Sequence, residues 1–405
     1  MKEVTKNRIV FILSALIVLV GFFTTDIFAG IKNTLTQFMT DLGVYGYSIS
    51  FEKATDNLES AVADNVSYHD EAMDFNSLYM RYTGRRVIEK EDSTVILADG
   101  GYLANPRPYM SDSDIEVRAE SVRELMAEAE KCDAKFIYVM APTKGYSLNY
   151  PSHVEDYTAS NCDRFASKLK EKGIPFLSLI KQAQKDGISE EEMFFATDHH
   201  WRPEKGIWAS AKVGEFMKEA YGFKYDEAVW DETNYNMTAY KSWFLGSQGK
   251  KVGRYFSPHG PDDINLITPS FDTSLTEEQP IKGLWREGTF EDLLYKENIE
   301  VKNHYNINPY ATYSGGDFRE QIITNRLNPH GKTVLVIRDS FGCAFTPFFS
   351  LGFNKTYVVD IREGGYVGEP LDLKKYMDEI KPDYVMVFYT GLSGGDSLYA
   401  FLNKS

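Results

Sequence analysis

The sequence predicts an α/β fold, a mostly parallel sheet flanked by helices, and three observations predict it. Residues 135–140, 333–337 and 384–388 are apolar without alternation, the pattern of parallel strands buried on both faces. Helical patterns over 161–172 and 372–380 fall between these runs, as crossover connections require, and another over 115–131 precedes the first. Reactive side-chain types also gather at two places: Asp198, His199 and His200 before the helix start at Pro203, and Ser340 just past the 333–337 run. Brackets of this kind at strand ends are where α/β folds carry chemistry.

The chain opens on Lys2, Lys6 and Arg8 against the single acid Glu3, followed by an apolar stretch from Ile9 to Phe23 broken only by Ser14 and Gly21. A spanning helix wants about 20 residues, and the positive flank predicts an N-terminus inside and the remainder exported. No good small-residue cleavage site follows, so an uncleaved signal anchor is expected in preference to a cleaved signal peptide. The expected organisation is a cytoplasmic tail (1–8), a transmembrane anchor (9–25), a juxtamembrane segment (26–75) and one α/β domain (76–405) with an insertion around 222–330. A single pass in the cell membrane, with the domain outside the cytoplasm, is the expected location.

Within the domain, residues 95–97 and 102–103 around Asp99-Gly100-Gly101 read as a strand, a tight turn and a return strand. Helices at 115–131 and 161–172 flank the strand 135–140; Gly173 stops the second, and residues 174–179 form the next strand. Pro203 has φ preset for a first helical turn and pushes Arg202 out of the α region. Residues 198–202 should therefore be extended, with a helix from Pro203 burying Ile207, Ala211, Gly214 and Met217 against the sheet. Strands over 356–360 and 384–388 complete the pattern, while 222–330 shows little periodicity.

A net charge of −15 with no clustered Lys and Arg argues against nucleic acid as a partner. The 26 Tyr and 26 Phe suit either sugar contacts or a large core. Cys132, Cys162 and Cys343 have no metal-type spacing; no disulfide framework is expected, although one Cys132–Cys162 bridge stays open.

A serine hydroxyl needs a base within hydrogen-bond reach, and the base needs an orienting carboxylate. Ser340 is the candidate nucleophile, His200 the base, and Asp198 the carboxylate that fixes its tautomer. The Ser340 N–H is one candidate oxyanion donor, with Gly246, Gly315 and Gly316 as others. In an extended segment Asp198 and His200 share a side and His199 points away. One metal ion could then take both histidines only through a sharp local bend, so no metal and no cofactor are expected. Cys343 reads as core rather than as a nucleophile. Trp201 and Trp208 are candidates for a sugar platform, Trp208 more simply for packing. Lys144 ends a strand, where it would meet an acidic substrate or stand solvated. Arg362 lies past a sheet edge, to bind substrate or to pair with Asp360 or Asp339.

These stretches carry a resemblance. Asp198-His199-His200-Trp201, Arg338-Asp339-Ser340-Phe341 and Val359-Asp360-Ile361-Arg362 resemble the DHHW family of bacterial surface proteins, which is similar to the SGNH-like proteins of alginate O-acetylation. The resemblance spans roughly 90–390 and maps Asp198, His200 and Ser340 onto that family's triad. It departs at two positions, with Phe341 for an expected Tyr and Cys343 for an expected Asn. It implies an SGNH-hydrolase-like fold and O-acetylation of an exported polysaccharide, with acetyl supplied by a membrane-bound O-acyltransferase. An esterase with the same triad and a non-catalytic glycan-binding partner of such an acyltransferase are the alternatives.

The expected topology is open to a direct check. Protease added to intact protoplasts should digest residues 30–405, whereas full protection would overturn the exported placement.

Overall fold

The parallel strands form where apolar runs were continuous, and the rest of the sheet comes from a region whose polar residues hid it. The computed structural model describes residues 69–90, 93–362, 371–391 and 396–402. Strands β1 (Val87–Glu89), β2 (Thr94–Leu97) and β3 (Leu103–Ala104) make a small antiparallel sheet. β4 (Lys135–Ala141) and β5 (Phe176–Ser178) belong to the main sheet, and β6 (Tyr235–Phe244) and β7 (Asp262–Pro269) pair with each other as a separate antiparallel ribbon. β8 (Leu275–Gln279), β9 (Leu284–Gly288), β10 (Glu320–Asn325), β11 (Thr333–Arg338), β12 (Lys355–Val359) and β13 (Tyr384–Thr390) complete an eight-stranded sheet in the order β5-β4-β13-β11-β12-β10-β8-β9.

Only the first five strands in that order run parallel. β10, β8 and β9 continue the sheet antiparallel, so the expectation of a mostly parallel sheet holds for its core and not for this edge. The reason is burial. Every residue of β13 is buried, whereas β8, β9 and β10 alternate between more and less covered positions. Leu275-Thr276-Glu277-Glu278-Gln279 therefore carries too little apolar signal to read as a strand.

Side-chain alternation along the parallel strands feeds two cores. Val334, Val336 and Met386 pack on one face with Val213 and Met217 of the helix Glu204–Tyr221. Leu335, Ile337 and Val387 pack on the other with Leu125 of Asp112–Lys131, Phe165 of Thr158–Glu171 and Met377 of Leu373–Ile380. The flanking helices thus lie where their patterns placed them. Cys132, Cys162 and Cys343 are free thiols, and the Cys132 Sγ donates to Asp378 at 3.3 Å, so the 132–162 bridge is not formed. The expected tail, anchor and most of the juxtamembrane segment lie outside the described residues. Among the described residues no helix is long and apolar enough to cross a membrane.

Pro203, with φ −56°, leads directly into Glu204–Tyr221 as its sequence position requires. That helix approaches the turn after β11 so closely that a Cβ on Gly206 would stand 1.8 Å from the Ala344 carbonyl oxygen. Alanine would gain about 1 kcal/mol of helix propensity, but backbone overlap of this kind outweighs it. Gly206→Ala should lower the unfolding free energy by about 2 kcal/mol net, read as a shift in urea midpoint at unchanged slope. A variant as stable as the parent would show that the helix can back away freely.

Candidate active site

Phe194 and Trp201 form an antiparallel bridge, and the chain between them turns rather than extends. Buried groups on two sides force the turn. The Asp262 carboxylate accepts the N–H of Ala196 (2.6 Å), the N–H of Thr197 (2.8 Å) and the Thr197 hydroxyl (2.6 Å). The Lys144 ammonium donates to the carbonyls of Ala196 (3.1 Å) and Asp198 (2.6 Å) and to Gln248 Oε1 (3.2 Å). Burial lowers the Lys144 pKa to about 8, with the charges of Asp262 and Asp198 resisting the shift.

The Asp198 side chain then closes on its own backbone. Its Oδ1 accepts the His200 N–H at 2.8 Å and lies 2.5 Å from His200 Nδ1, while Oδ2 accepts the Ser247 N–H at 2.6 Å. Burial pushes this carboxyl up, but the charges of His200 and His199 and these bonds outweigh it and hold it well below the usual range. Gly246 permits the approach, since a Cβ there would come within 2.2 Å of Asp198 Cβ. His200 Nε2 stands 2.8 Å from Ser340 Oγ, and its ring stacks on Tyr310 at 4.2 Å between centroids. The tautomer assigned by both contacts donates from Nδ1 to Asp198 and accepts at Nε2 from the serine hydroxyl.

Ser340 opens a short 3-10 turn, Ser340–Ala344, which leads through Phe345 into the helix Thr346–Ser350. Asp339 caps that turn: Oδ1 accepts the Phe341 N–H at 3.0 Å, and Oδ2 accepts the Thr390 N–H (2.8 Å) and hydroxyl (2.7 Å). No acceptor among the described residues takes the Ser340 N–H, the first of the turn. A cleft of about 180 Å³ opens here, lined by Ser340, His199, Asn105, Arg107, Lys144 and Arg362 among others. A larger cleft of about 940 Å³ lies at the far ends of the same strands, by Lys135, Lys332 and Tyr384. Its lining includes His330 but neither serine nor cysteine, whereas the smaller cleft is lined by Ser340.

Asp198, His200 and Ser340 are thus brought together, and several other expectations need correcting. Residues 198–200 bend instead of extending, so His199 does not point away: its ring lies 3.8 Å from that of His200. One ligand atom from each of Asp198, His199 and His200 falls within 4.8 Å of the others, the local bend that a shared ion would need. Both Asp198 oxygens and both His200 nitrogens are, however, already engaged. Trp201 is fully buried and cannot be a sugar platform; its indole N–H bridges Tyr310 Oη (3.2 Å) and the Phe341 carbonyl (3.1 Å). Trp208 packs in the core and donates to Asp186. Lys144 is neither solvated nor free for a substrate, because its three donors hold the turn. Arg362 lines the cleft while forming ion pairs with Asp360 and Asp317, the first of the two expected pairings but not the one with Asp339.

The oxyanion candidates divide the same way. The Gly246 N–H donates to Thr197 Oγ1 at 2.9 Å and the Gly315 N–H to the Ala311 carbonyl at 2.6 Å, so both are spent. The Gly316 carbonyl accepts from Arg338 at 3.0 Å, and Gly316 is not among the residues that line the cleft. Ser340, which does line it, keeps its role as a candidate donor. Asp262, Ser247 and Tyr310 were missed. Asp262 opens the alternating run of β7 and Ser247 follows the Gly246 turn, which are weak local signals; nothing around Pro309-Tyr310 marks a ring that stacks on His200.

The family model described as SGNH hydrolase-like domain, acetyltransferase AlgX, matches residues 101–238, and the DHHW protein family model matches 185–359, which takes in Asp198, His200 and Ser340. No curated protein sequence matches the chain. Among solved structures, Bacillus cereus PatB1 with a sulfonyl adduct superposes with a TM-score of 0.63 at 20% identity, covering 78% of this chain and 99% of that one. A second PatB1 structure gives 0.60 at 21% identity over 77% and 98% of the two chains. A DHHW family protein from Eubacterium siraeum gives 0.55 at 18% identity over 79% and 98%. The chain has the α/β SGNH-like fold, and its sequence resembles the DHHW family and an acetyltransferase domain.

The Lys144 amine sets a pH signature. Its proton leaves near pH 8 in the folded chain and near 10.5 in the unfolded one. Between these values the unfolded chain binds the extra proton, so this group makes stability rise with pH, a gain absent below pH 8. Across that window the stability of the wild type relative to Lys144→Met should grow by about 3 kcal/mol, measured by urea unfolding at successive pH. A difference independent of pH would show that burial does not depress the amine.

Proposed function

We propose that this chain, a DHHW-like sequence on an SGNH-like fold, is an acyl-transferring enzyme that O-acetylates an exported cell-surface polysaccharide through an acyl-serine. The observation that carries the reading is the continuous relay from Asp198 through His200 to Ser340 Oγ. Ser340 Oγ attacks the acetyl carbonyl of a donor while its proton passes to His200 Nε2. Asp198, held ionised by its surroundings, stabilises the imidazolium that forms. The Ser340 N–H faces the developing oxyanion. The donor's leaving group takes the proton from His200, and Ser340 is left as an acetyl ester. A polysaccharide hydroxyl then attacks the ester, gives its proton to His200, and the proton returns to Ser340 Oγ.

The acetyl donor in this reading is a membrane-bound O-acyltransferase, and the chain is held to the bilayer by residues 9–25 with its domain outside the cytoplasm. The support for that placement is the basic flank and apolar run at the N-terminus.

The acyl-serine is directly testable. An activated acetyl ester should add one acetyl group, located on Ser340 by mass spectrometry. Ser340→Ala should abolish the adduct, and His200→Ala should slow it by about 10²-fold or more. Because a sulfonyl adduct is recorded on PatB1, a sulfonyl fluoride should likewise mark Ser340. An oligosaccharide acceptor should draw the acetyl onto sugar; release only as acetate would make the protein an esterase. An adduct that forms equally in Ser340→Ala would remove the mechanism, and no adduct at all would leave a glycan-binding role.

A further inference from the structure

We propose that His199 is the acceptor-binding residue of this site: its Nε2 hydrogen-bonds a hydroxyl of the sugar that receives the acyl group, and so decides between transfer and hydrolysis. The inference rests on the acyl-serine reading. Three observations carry it.

First, His199 lines the cleft beside Ser340, and its side chain keeps 43% of its surface against 10% for His200. His200 is thus the inner ring and His199 the one that meets incoming molecules. Second, the ring is held in place: Nδ1 lies 2.9 Å from Ser247 Oγ, and the N–H of that same Ser247 holds Asp198 Oδ2. One residue therefore orients the carboxylate of the relay and the outer histidine together. Third, Nε2 is at the opposite edge of the ring from Nδ1 and has no hydrogen-bond partner among the described residues.

Burial and the neighbouring charge of His200 push the His199 pKa down, and its exposed edge tempers that shift, so the ring is neutral at neutral pH. A neutral imidazole offers Nε2 as acceptor or donor according to its tautomer, and a sugar hydroxyl matches either. A vicinal sugar hydroxyl held at Nε2 leaves its neighbour free to attack the ester. In that step the bond from acyl carbon to Ser340 Oγ breaks, a bond to the sugar oxygen forms, and the sugar's proton passes through His200 Nε2 to Ser340 Oγ. Water needs no such anchor, so losing His199 penalises transfer more than hydrolysis.

The test is the partition of preformed acetyl-Ser340 between an oligosaccharide and water in a single turnover, a ratio independent of how fast the ester formed. Asparagine reproduces the Nδ1 contact to Ser247 and lacks the outer nitrogen, whereas glutamine reaches the outer position. His199→Asn should lower the transfer-to-hydrolysis ratio by roughly tenfold, the size of one lost hydrogen bond, and raise the half-saturating acceptor concentration. His199→Gln should recover much of the ratio. A ratio unchanged in both variants would overturn the inference. So would an equal deficit in both, because that pattern reports lost support for Ser247 and Asp198. Absence of acetyl-Ser340 in the wild type would instead overturn the acyl-serine reading, and this inference with it.

Discussion

The turn at residues 196–200 depends on two buried charges: Lys144 holds it through its carbonyls and Asp262 through its N–H groups. Charge-assisted hydrogen bonds of this kind contribute about 1.5–3 kcal/mol each, enough to offset the desolvation of groups that water would otherwise hold. Neither grip can be released singly, because the opposite charge would be left buried with orphaned partners. The alternation of an extended strand is thereby lost, and both histidines come to lie on the same side of the chain as Ser340. Further bonds tie this grip to the periphery: Gln248, which accepts from Lys144, donates to Asn105, and Asn105 donates to the carbonyl of Thr94 on β2.

The fold was legible where burial is two-sided and the site where local rules act. Apolar runs at 135–140, 333–337 and 384–388 became β4, β11 and β13, and Pro203 marked the helix start within one residue. The pairing of Asp198 with His200 was read from an extended segment that the chain does not form; it arises instead because a short carboxylate reaches the N–H two residues on. The direction of His199 was not legible, because it is set by Lys144 and Asp262, which lie more than fifty residues away on either side. Trp201 misled for a related reason. Its neighbours in sequence are polar, yet its own ring is the floor beneath the Ser340 turn, with Phe341 and Phe388 against it. The antiparallel edge of the sheet escaped because one-sided strands bearing Glu and Gln resemble loops.

Behind the serine lies a second buried network that fixes the loop 313–317 against the elbow. Arg338, with no exposed surface, pairs with Asp317 and donates to the Gly316 carbonyl; Arg362 joins Asp317 to Asp360. The cations outweigh burial and hold Asp317 at about 2. Gly315 and Gly316, both with positive φ, let the chain fold tightly enough to present a carbonyl to the guanidinium. The Gly315 N–H is taken by the Ala311 carbonyl and the Gly316 carbonyl by Arg338, so the pair is bound into this loop rather than into the cleft lining.

Two buried aspartates flank the serine, and their surroundings separate their tasks. Asp198 faces two imidazoles and the Ser247 N–H, which hold it ionised against the cost of burial. Asp339 meets burial chiefly with uncharged donors, the Thr390 N–H and hydroxyl and the Phe341 N–H, and its pKa is raised. In the proposed reaction, a carboxylate opposite an imidazole answers the positive charge that appears on His200 as Ser340 loses its proton. A carboxyl tied to backbone N–H groups answers no charge, and it fixes where the turn begins. The Asp-Ser pair in the sequence therefore combines a positioning group with the proposed nucleophile, while the carboxylate that meets His200 comes from the Asp-x-His turn.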